Sequence, residues 1–174
     1  MSEHRADAFA RLFEAVHEGV YIGQLGSRET ATLAANPHLK LMFGYASEAS
    51  DVQVRPFDTQ RFVDPQARKA FIDRLTTEGA VTDYLLRLRR VDNSPMWVEV
   101  TAHADAPAQD GSIRIDALVR DVSERKKLED QTRDLFGRVA AVESARGKTL
   151  EEHDAERIDV AASIDRATGD LFRR

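Results

Sequence analysis

The feature that most constrains this chain is a strand that runs directly into a helix. An apolar, strand-like run from Ile113 to Val122 passes without a spacer into a charged stretch with helical spacing. Asp121 or Ser123 can cap the new helix, because either side chain can accept a hydrogen bond from one of its first free backbone N–H groups. Glu124 places negative charge near the positive end of the helix. The junction predicts mechanical coupling, since a shift in the sheet would reach the helix directly.

Composition narrows the classes of function. The 174 residues suffice for one ordinary domain and an appendage, and the net charge of −5 argues against non-specific binding to nucleic acid or to an anionic membrane. The chain has no cysteine, so disulfides, thiolate metal sites and cysteine nucleophiles are excluded. Its apolar runs are too short for a membrane span or a secretory signal. We therefore expect a cytoplasmic protein with no nucleic-acid and no membrane partner.

Hydrophobic periodicity and turn residues predict an α+β layout. An N-terminal helix is expected in residues 1–18 and a folded core in residues 19–123. Asn36-Pro37 and Asp64-Pro65 each place a capping residue before a proline, which predicts that a helix begins there. Strands are expected at Val20–Gly23, Thr30–Ala35, Val81–Arg90, Met96–Ala104 and Ile113–Val122. This order favours an antiparallel sheet covered on one face by helices.

The C-terminal third has the pattern of a paired helix. In residues 124–146 a narrow apolar seam steps by four and three, at Leu128, Thr132, Leu135, Val139 and Val142. We expect the seam to break at Arg146-Gly147 and a second helical segment to occupy residues 147–174, beginning at the capping box Thr149–Glu152. The second segment has a thinner stripe, at Leu150, Ile158, Ala161, Ile164 and Leu171. Such a seam predicts a homodimeric coiled coil; the alternative is a helix folded back on its own domain.

Six short segments stand in the order in which one family carries them. They are Phe9 to Gly23, Ala35-Asn36-Pro37 with Phe43-Gly44-Tyr45, Phe62 to Pro65, Tyr84 to Arg90, Pro95 to Val100, and Arg120 to Arg125. Together they make residues 9–127 resemble the PAS sensory domain. The departures are Leu85, where glutamate is common, Asn93, where glycine is common, Asp before Pro at 64–65, and one extra residue in the hairpin before Pro95.

The resemblance implies a five-stranded antiparallel sheet with a ligand cavity between the sheet and the helices over one face. By position it implies that the cavity is lined by Phe71, Leu75, Leu85, Arg87, Val98, Val100, Ala117 and Val119. Arg87 would then point inward, where a carboxylate or phosphate ligand would suit its guanidinium group. The alternatives are an internal acid as its partner, or a side chain whose tip reaches water. Trp97 alternates with Val98 and is expected on the opposite face, against Phe9 and Phe13 or a partner subunit.

The resemblance also bears on cofactors and chemistry. A flavin-adduct photosensor needs a cysteine, and the flavin-contacting positions fall at Arg87, Val98 and Val119, so a photochemical flavin is not expected. The haem mode with a histidine on the long helix is excluded, because Asp64 to Gly79 contains none. No two histidines stand at helical ligand spacing, so no metal site is expected, although ligation by His38 or His103 stays an alternative. The sequence shows no catalytic constellation. An unknown small ligand remains compatible with the pattern.

These features predict a cytoplasmic, dimeric PAS sensory or regulatory module of a bacterial-type signal transduction protein, as in a two-component system. Asp121, Ser123 and Arg125 would relay its state to an output domain such as a kinase, cyclase or phosphatase, in cis or in trans. One alternative is a constitutive dimerisation or adaptor domain without a ligand. Another is a small curved-sheet enzyme, although we expect no enzymatic activity.

Overall fold

A computed structural model describes residues 2–26 and 30–171, with the side chains of residues 4–26 and 30–162. The helices are α1 Ser2–Ala15, α2 Pro37–Phe43, α3 Pro65–Glu78 and α4 Ser123–Leu171. The strands are β1 Gly19–Leu25, β2 Thr30–Ala35, β3 Ala80–Arg89, β4 Pro95–Ala104 and β5 Ile113–Asp121. Two short 3₁₀ helices, Asp51–Gln53 and Thr59–Arg61, lie between α2 and α3. The class is α+β, as predicted.

The five strands form one antiparallel sheet in the order β2-β1-β5-β4-β3. This confirms the predicted five-stranded antiparallel sheet. The first and last strands of the chain lie side by side at its centre, where Tyr21 pairs with Ala117. The junction to α4 therefore follows the middle strand of the sheet.

The helices that flank the inner face begin and end where the capping residues predict. Oδ1 of Asn36 accepts from the N–H of Leu39 at the start of α2, and Oδ1 of Asp64 accepts from the N–H of Gln66 at the start of α3. Gly44 and Gly79 end these helices with φ of 77° and 74°, a left-handed conformation that costs glycine little.

The core lies between the inner face of the sheet and helices α2 and α3. Leu39 and Phe43 of α2, and Phe71 and Leu75 of α3, are fully buried. Four aromatic rings pack in sequence through this interior, with centroid distances of 5.1 Å for Tyr21–Phe57, 5.7 Å for Phe57–Phe71 and 5.5 Å for Phe71–Tyr84. Large side chains of the protein itself thus occupy the region where the resemblance implies a cavity.

The chain divides into two compact units, with the boundary between Lys126 and Lys127. The first unit contains α1 to β5 and the first turn of α4. The second unit is the remainder of α4. Among the described residues, no helix combines the length and the apolar composition that a bilayer crossing requires.

Helix α4 is one unbroken helix of 49 residues. The predicted break at Arg146-Gly147 and restart at Thr149 are therefore wrong, and the described part of 147–174 continues the same helix. A glycine inside a helix costs only about 1 kcal/mol relative to alanine. Unlike proline, it also keeps the N–H that bonds to the preceding turn, so one glycine among good helix formers does not end the helix.

The predicted seam of α4 is exposed in the single chain. Leu128, Leu135, Val139 and Val142 keep between 53% and 67% of their surface accessible, and Thr132 is exposed as well. In the second half, Leu150, Ile158 and Ala161 are exposed, whereas the side chains of Ile164 and Leu171 lie outside the described residues. Pairing between chains stays a prediction.

Candidate functional site

The backbone of Trp97 in β4 holds the first residues of α4. Its carbonyl oxygen accepts a hydrogen bond from the N–H of Val122 at 2.8 Å, and its N–H donates to Oγ of Ser123 at 2.9 Å. Val98 pairs with Asp121, so these two bonds extend the β4–β5 ladder beyond the end of β5. The first residue of α4 is therefore bonded to the sheet.

The carboxylate of Asp121 links the start of α4 to the end of β3, an edge strand of the sheet. Its Oδ1 accepts from the N–H of Ser123 at 2.9 Å, and its Oδ2 accepts from Nη2 of Arg90 at 2.7 Å. Arg90 follows β3 directly, and its Nε donates to the carbonyl oxygen of Met42 in α2 at 3.0 Å. A continuous series of polar contacts thus runs from α2 through Arg90 and Asp121 to Ser123.

The two predicted capping residues, Asp121 and Ser123, make different hydrogen bonds. Asp121 accepts from the first N–H of α4, whereas the hydroxyl of Ser123 is turned toward β4. Arg90, the residue that connects this pair to α2, was not predicted. The available signal was an arginine immediately after a strand, but its partners are far away in sequence.

The third predicted relay residue, Arg125, forms an ion pair with Glu99 on β4. One turn of α4 therefore has three separate attachments to β4, through Ser123, Arg125 and Lys126. The ammonium group of Lys126 lies 5.9 Å from the ring centre of Trp97. The predicted residues Asp121, Ser123 and Arg125 do come together at one place, while their role in relay stays a prediction.

Two of the predicted cavity residues lie on the wrong face. Leu85 is 40% exposed, and the guanidinium carbon of Arg87 lies 5.4 Å from the ring centre of Trp97 on the outer face. The cause is an irregularity in β3 between Val81 and Tyr84, where Asp83 has φ of 48°. A bulge shifts the alternation by one residue, so that counting outward from the buried Val81 assigns the wrong face.

The expectation of an inward Arg87 that anchors a ligand is therefore wrong. The alternation of Leu86 and Leu88 against Arg87 and Arg89 was the sequence signal that could have shown this, because Leu86 and Leu88 are buried. The exposed position of Arg87 agrees with the alternative in which its tip reaches water.

The other six predicted cavity residues are buried in the core. They are Phe71, Leu75, Val98, Val100, Ala117 and Val119. Whether any of them contacts a ligand stays a prediction.

Trp97 lies on the face opposite Val98, as predicted. The cationic groups of Arg87 and Lys126 both lie within 6 Å of the centre of its aromatic ring. Phe9 and Phe13 of α1 instead line an apolar groove of about 640 Å³ together with Val20 and Ile22 of β1. Phe9 is 66% exposed, so α1 leaves part of its apolar face uncovered.

A second polar cluster, which the sequence did not reveal, connects α3 to the end of β1 and to the start of β2. Arg68 is buried, and it donates from Nε to the carbonyl oxygen of Phe57 and from Nη2 to that of Gly26, both at 3.0 Å. Thr30 donates to the carboxylate of Asp58. Burial lowers the pKa of Arg68, and burial also raises the pKa of Asp58 despite the attraction of nearby arginines.

No protein-family model matches the sequence, and no curated protein matches it. Among solved structures, the chain is similar to the PAS domain of a protein from Colwellia psychrerythraea, with a TM-score of 0.52, 16% identity, and coverage of 69% of this chain and 98% of that one. It is also similar to a sensory box histidine kinase/response regulator from Burkholderia thailandensis, with a TM-score of 0.54, 19% identity, and coverage of 75% and 96%. An RNA-binding light-oxygen-voltage receptor has a TM-score of 0.59 and 23% identity, and the matching region covers 79% of this chain but only 38% of that receptor.

Proposed function

We propose that this chain, which has the fold of PAS domains, is a sensory or regulatory module that acts as a homodimer in the cytoplasm. In this proposal a bound ligand or partner favours one of two arrangements of the sheet and the helices. The junction from Asp121 to Arg125 carries the change into α4, and an output domain outside this chain responds. The output would be a kinase, cyclase or phosphatase in a bacterial-type signalling protein.

The observation that carries the proposal is that the start of α4 is attached both to β4 and to α2. Trp97 binds the start of α4 to β4 through two backbone hydrogen bonds. Arg90 binds the same start to α2 through Asp121 and Met42. A movement of α2 relative to the sheet would break the bond from Arg90 to the Met42 carbonyl oxygen, or else shift the Arg90 side chain that contacts Asp121.

A ligand can drive such a change only through its different affinities for the two arrangements. Shifting the populations from 1:99 to 99:1 takes about 5.5 kcal/mol. The contacts at the junction are individually worth about 0.5–1.5 kcal/mol. The free energy lost when several of these contacts break together therefore approaches the free energy that the population shift requires.

Dimerisation through α4 is supported by its exposed apolar seam, because side chains such as Leu135 and Val139 lose contact with water only when another helix covers them. We expect Val139→Asp to weaken the dimer strongly. Ala141→Asp is the matched control, because two residues along a helix turn the side chain by about 200° to the other side. Sedimentation or light scattering of both variants tests this, and an undiminished Val139→Asp dimer would move the interface to α1 and the sheet.

The relay is tested by hydrogen exchange in residues 121–130. We expect Arg90→Gln to speed exchange there, because it removes the contact that joins α2 to Asp121. Lys69→Gln, which removes an exposed ion pair with Asp73 on α3, is the control. Equal exchange in the two variants would contradict coupling through Arg90. Native mass spectrometry of the purified chain adds the stoichiometry and any small ligand that is retained.

A constitutive dimerisation or adaptor domain is the second candidate, and one observation favours it. The aromatic series Tyr21, Phe57, Phe71 and Tyr84 occupies the interior, so the fold can be stable without a ligand. A chain whose melting temperature and α4 exchange respond to no compound in a broad ligand screen would support this candidate. The small curved-sheet enzyme would need a buried acid–base pair, and we propose no catalytic role.

A further inference from the structure

Two histidines that are remote in sequence lie next to each other in the first unit. His17 follows α1, and His38 is the second residue of α2. Their ring centroids are 6.2 Å apart, and the ring planes are inclined by 59°. His17 is exposed and His38 is half-buried, so water and ions reach the pair.

The backbone around both histidines is held in place by one buried side chain. Asn36 is fully buried, and its Nδ2 donates to the carbonyl oxygens of Phe13 at 3.1 Å and Glu18 at 2.9 Å, on either side of His17. Its Oδ1 accepts from the N–H of Leu39, directly after His38, and from that of Val20. The separation of the two histidine backbones is thus fixed by four hydrogen bonds. A shared ligand would therefore cost little conformational entropy in the backbone.

The separation of the rings suits one shared metal ion. A ligating imidazole nitrogen lies about 2.0–2.1 Å from Zn²⁺, and the ring centre is roughly 1.2 Å further, so two rings on one ion have centres at most about 6.5 Å apart. The observed 6.2 Å is within this limit. Tetrahedral coordination prefers a separation of about 5.3 Å, which would require a change of rotamer at the exposed His17.

We propose that His17 and His38 form a two-histidine site for a divalent transition-metal ion of the kind that imidazole prefers, such as Zn²⁺, Ni²⁺ or Cu²⁺. No group of three or more metal-binding side chains occurs among the described residues, so water completes the coordination. The ion joins the end of α1 to α2. This gives the module a metal-dependent contact at the helix that leads into β1, and it does not depend on relay through α4.

The test uses the full chain after treatment with a chelator and dialysis. We expect one Ni²⁺ or Cu²⁺ per chain by isothermal titration calorimetry, a rise in melting temperature of about 2 °C or more at saturating metal, and no response to Mg²⁺. His17→Ala and His38→Ala should each weaken the affinity at least tenfold. Acidification should release the ion, because a ligating imidazole must be neutral.

The remaining histidines provide the controls. His4→Ala tests binding by the N-terminal region, and His153→Ala tests binding by α4; both variants should bind as the original chain does. The proposal is overturned if the chain binds no Ni²⁺ or Cu²⁺ at millimolar concentration. It is equally overturned if binding survives in the His17→Ala/His38→Ala double variant or is lost in His4→Ala.

Discussion

Oγ of Ser123 accepts a hydrogen bond from the backbone N–H of Trp97 at 2.9 Å, so a side chain of the first α4 residue takes the place of a strand partner for β4. Together with the bond from the Val122 N–H to the Trp97 carbonyl oxygen, it prolongs the sheet into the helix. The start of α4 is therefore held by β4 as well as by its own helical hydrogen bonds.

Ser123→Ala should lower the free energy of unfolding of the first unit by about 1–2 kcal/mol, because it leaves the partly buried N–H of Trp97 without its acceptor. Denaturant titration followed by the fluorescence of Trp97, the single tryptophan of the chain, measures this. Ser47→Ala, whose hydroxyl bonds only to the adjacent exposed Glu48, is the control. Equal stability of the two variants would contradict the importance of the Ser123 contact.

Arg90 and Asp121 should show a measurable coupling free energy. Their side chains are about 30% exposed, so solvent screening limits the interaction to roughly 0.5–1 kcal/mol. A double-mutant cycle with Arg90→Ala and Asp121→Ala measures it. Each single substitution also removes one further hydrogen bond, to the Met42 carbonyl oxygen for Arg90 or from the Ser123 N–H for Asp121, and the cycle separates these losses from the pair itself. Strict additivity of the two substitutions would show that the contact contributes nothing.

Gly23→Ala should destabilise the first unit by about 1–3 kcal/mol through overpacking. A Cβ at this position would clash with Oη of Tyr21 and with the backbone oxygen of Ala31, so the fully buried ring would have to move. Gly137→Ala is the contrasting variant, because its Cβ would meet nothing within 4 Å in α4 and should raise helix stability by up to about 1 kcal/mol. A neutral Gly23→Ala in thermal and chemical melts would mean that Tyr21 has an alternative position.

The stability of the first unit should fall as pH rises through the titration of Asp58. Burial raises the pKa of its carboxyl above the ordinary 3.8, so the folded chain binds this proton more tightly than the unfolded chain. Stability from this group is present at low pH and is lost as pH passes through the raised value.

Asp58→Asn should therefore be more stable than the original chain at neutral pH, and the difference should shrink as pH approaches 4. Asp92→Asn, at a position where hydrogen bonds from Ser94 lower the pKa, should show the opposite dependence. A less stable Asp58→Asn at pH 7 would indicate that the charges of Arg55, Arg68 and Arg61 outweigh the burial of the carboxylate.

Local signals in the sequence were enough for the elements of the fold and for part of the site. Asn36-Pro37 and Asp64-Pro65 begin helices as predicted, because a side-chain acceptor followed by a preset φ acts within one turn of chain. Asp121 accepts from the first N–H of α4, which is also a contact within one turn of chain. The sensory role that the resemblance implies is a proposal, since likeness at this level of identity extends to the fold alone.

Two predictions were wrong because a local pattern was read too simply: the face of β3 on which two side chains lie, and the continuity of α4. The irregularity in β3 at Asp83 turns Leu85 and Arg87 outward, although strict alternation from Val81 would place them inside. The break expected at Gly147 did not occur, because a local cost of about 1 kcal/mol is small against the helical bonds on either side.

The order of the helices and strands, and the direct continuation of one strand into α4, can be read from the amino-acid sequence, because capping, alternation and turn preferences act over a few neighbouring residues. The contacts of Arg90 with α2 and Asp121, of Arg68 with the β1–β2 region, and of His17 with His38 became visible only in the folded chain. These contacts join residues from different elements, and their geometry depends on how the sheet and helices pack. Packing is a collective outcome of the buried core, which no short stretch of sequence specifies.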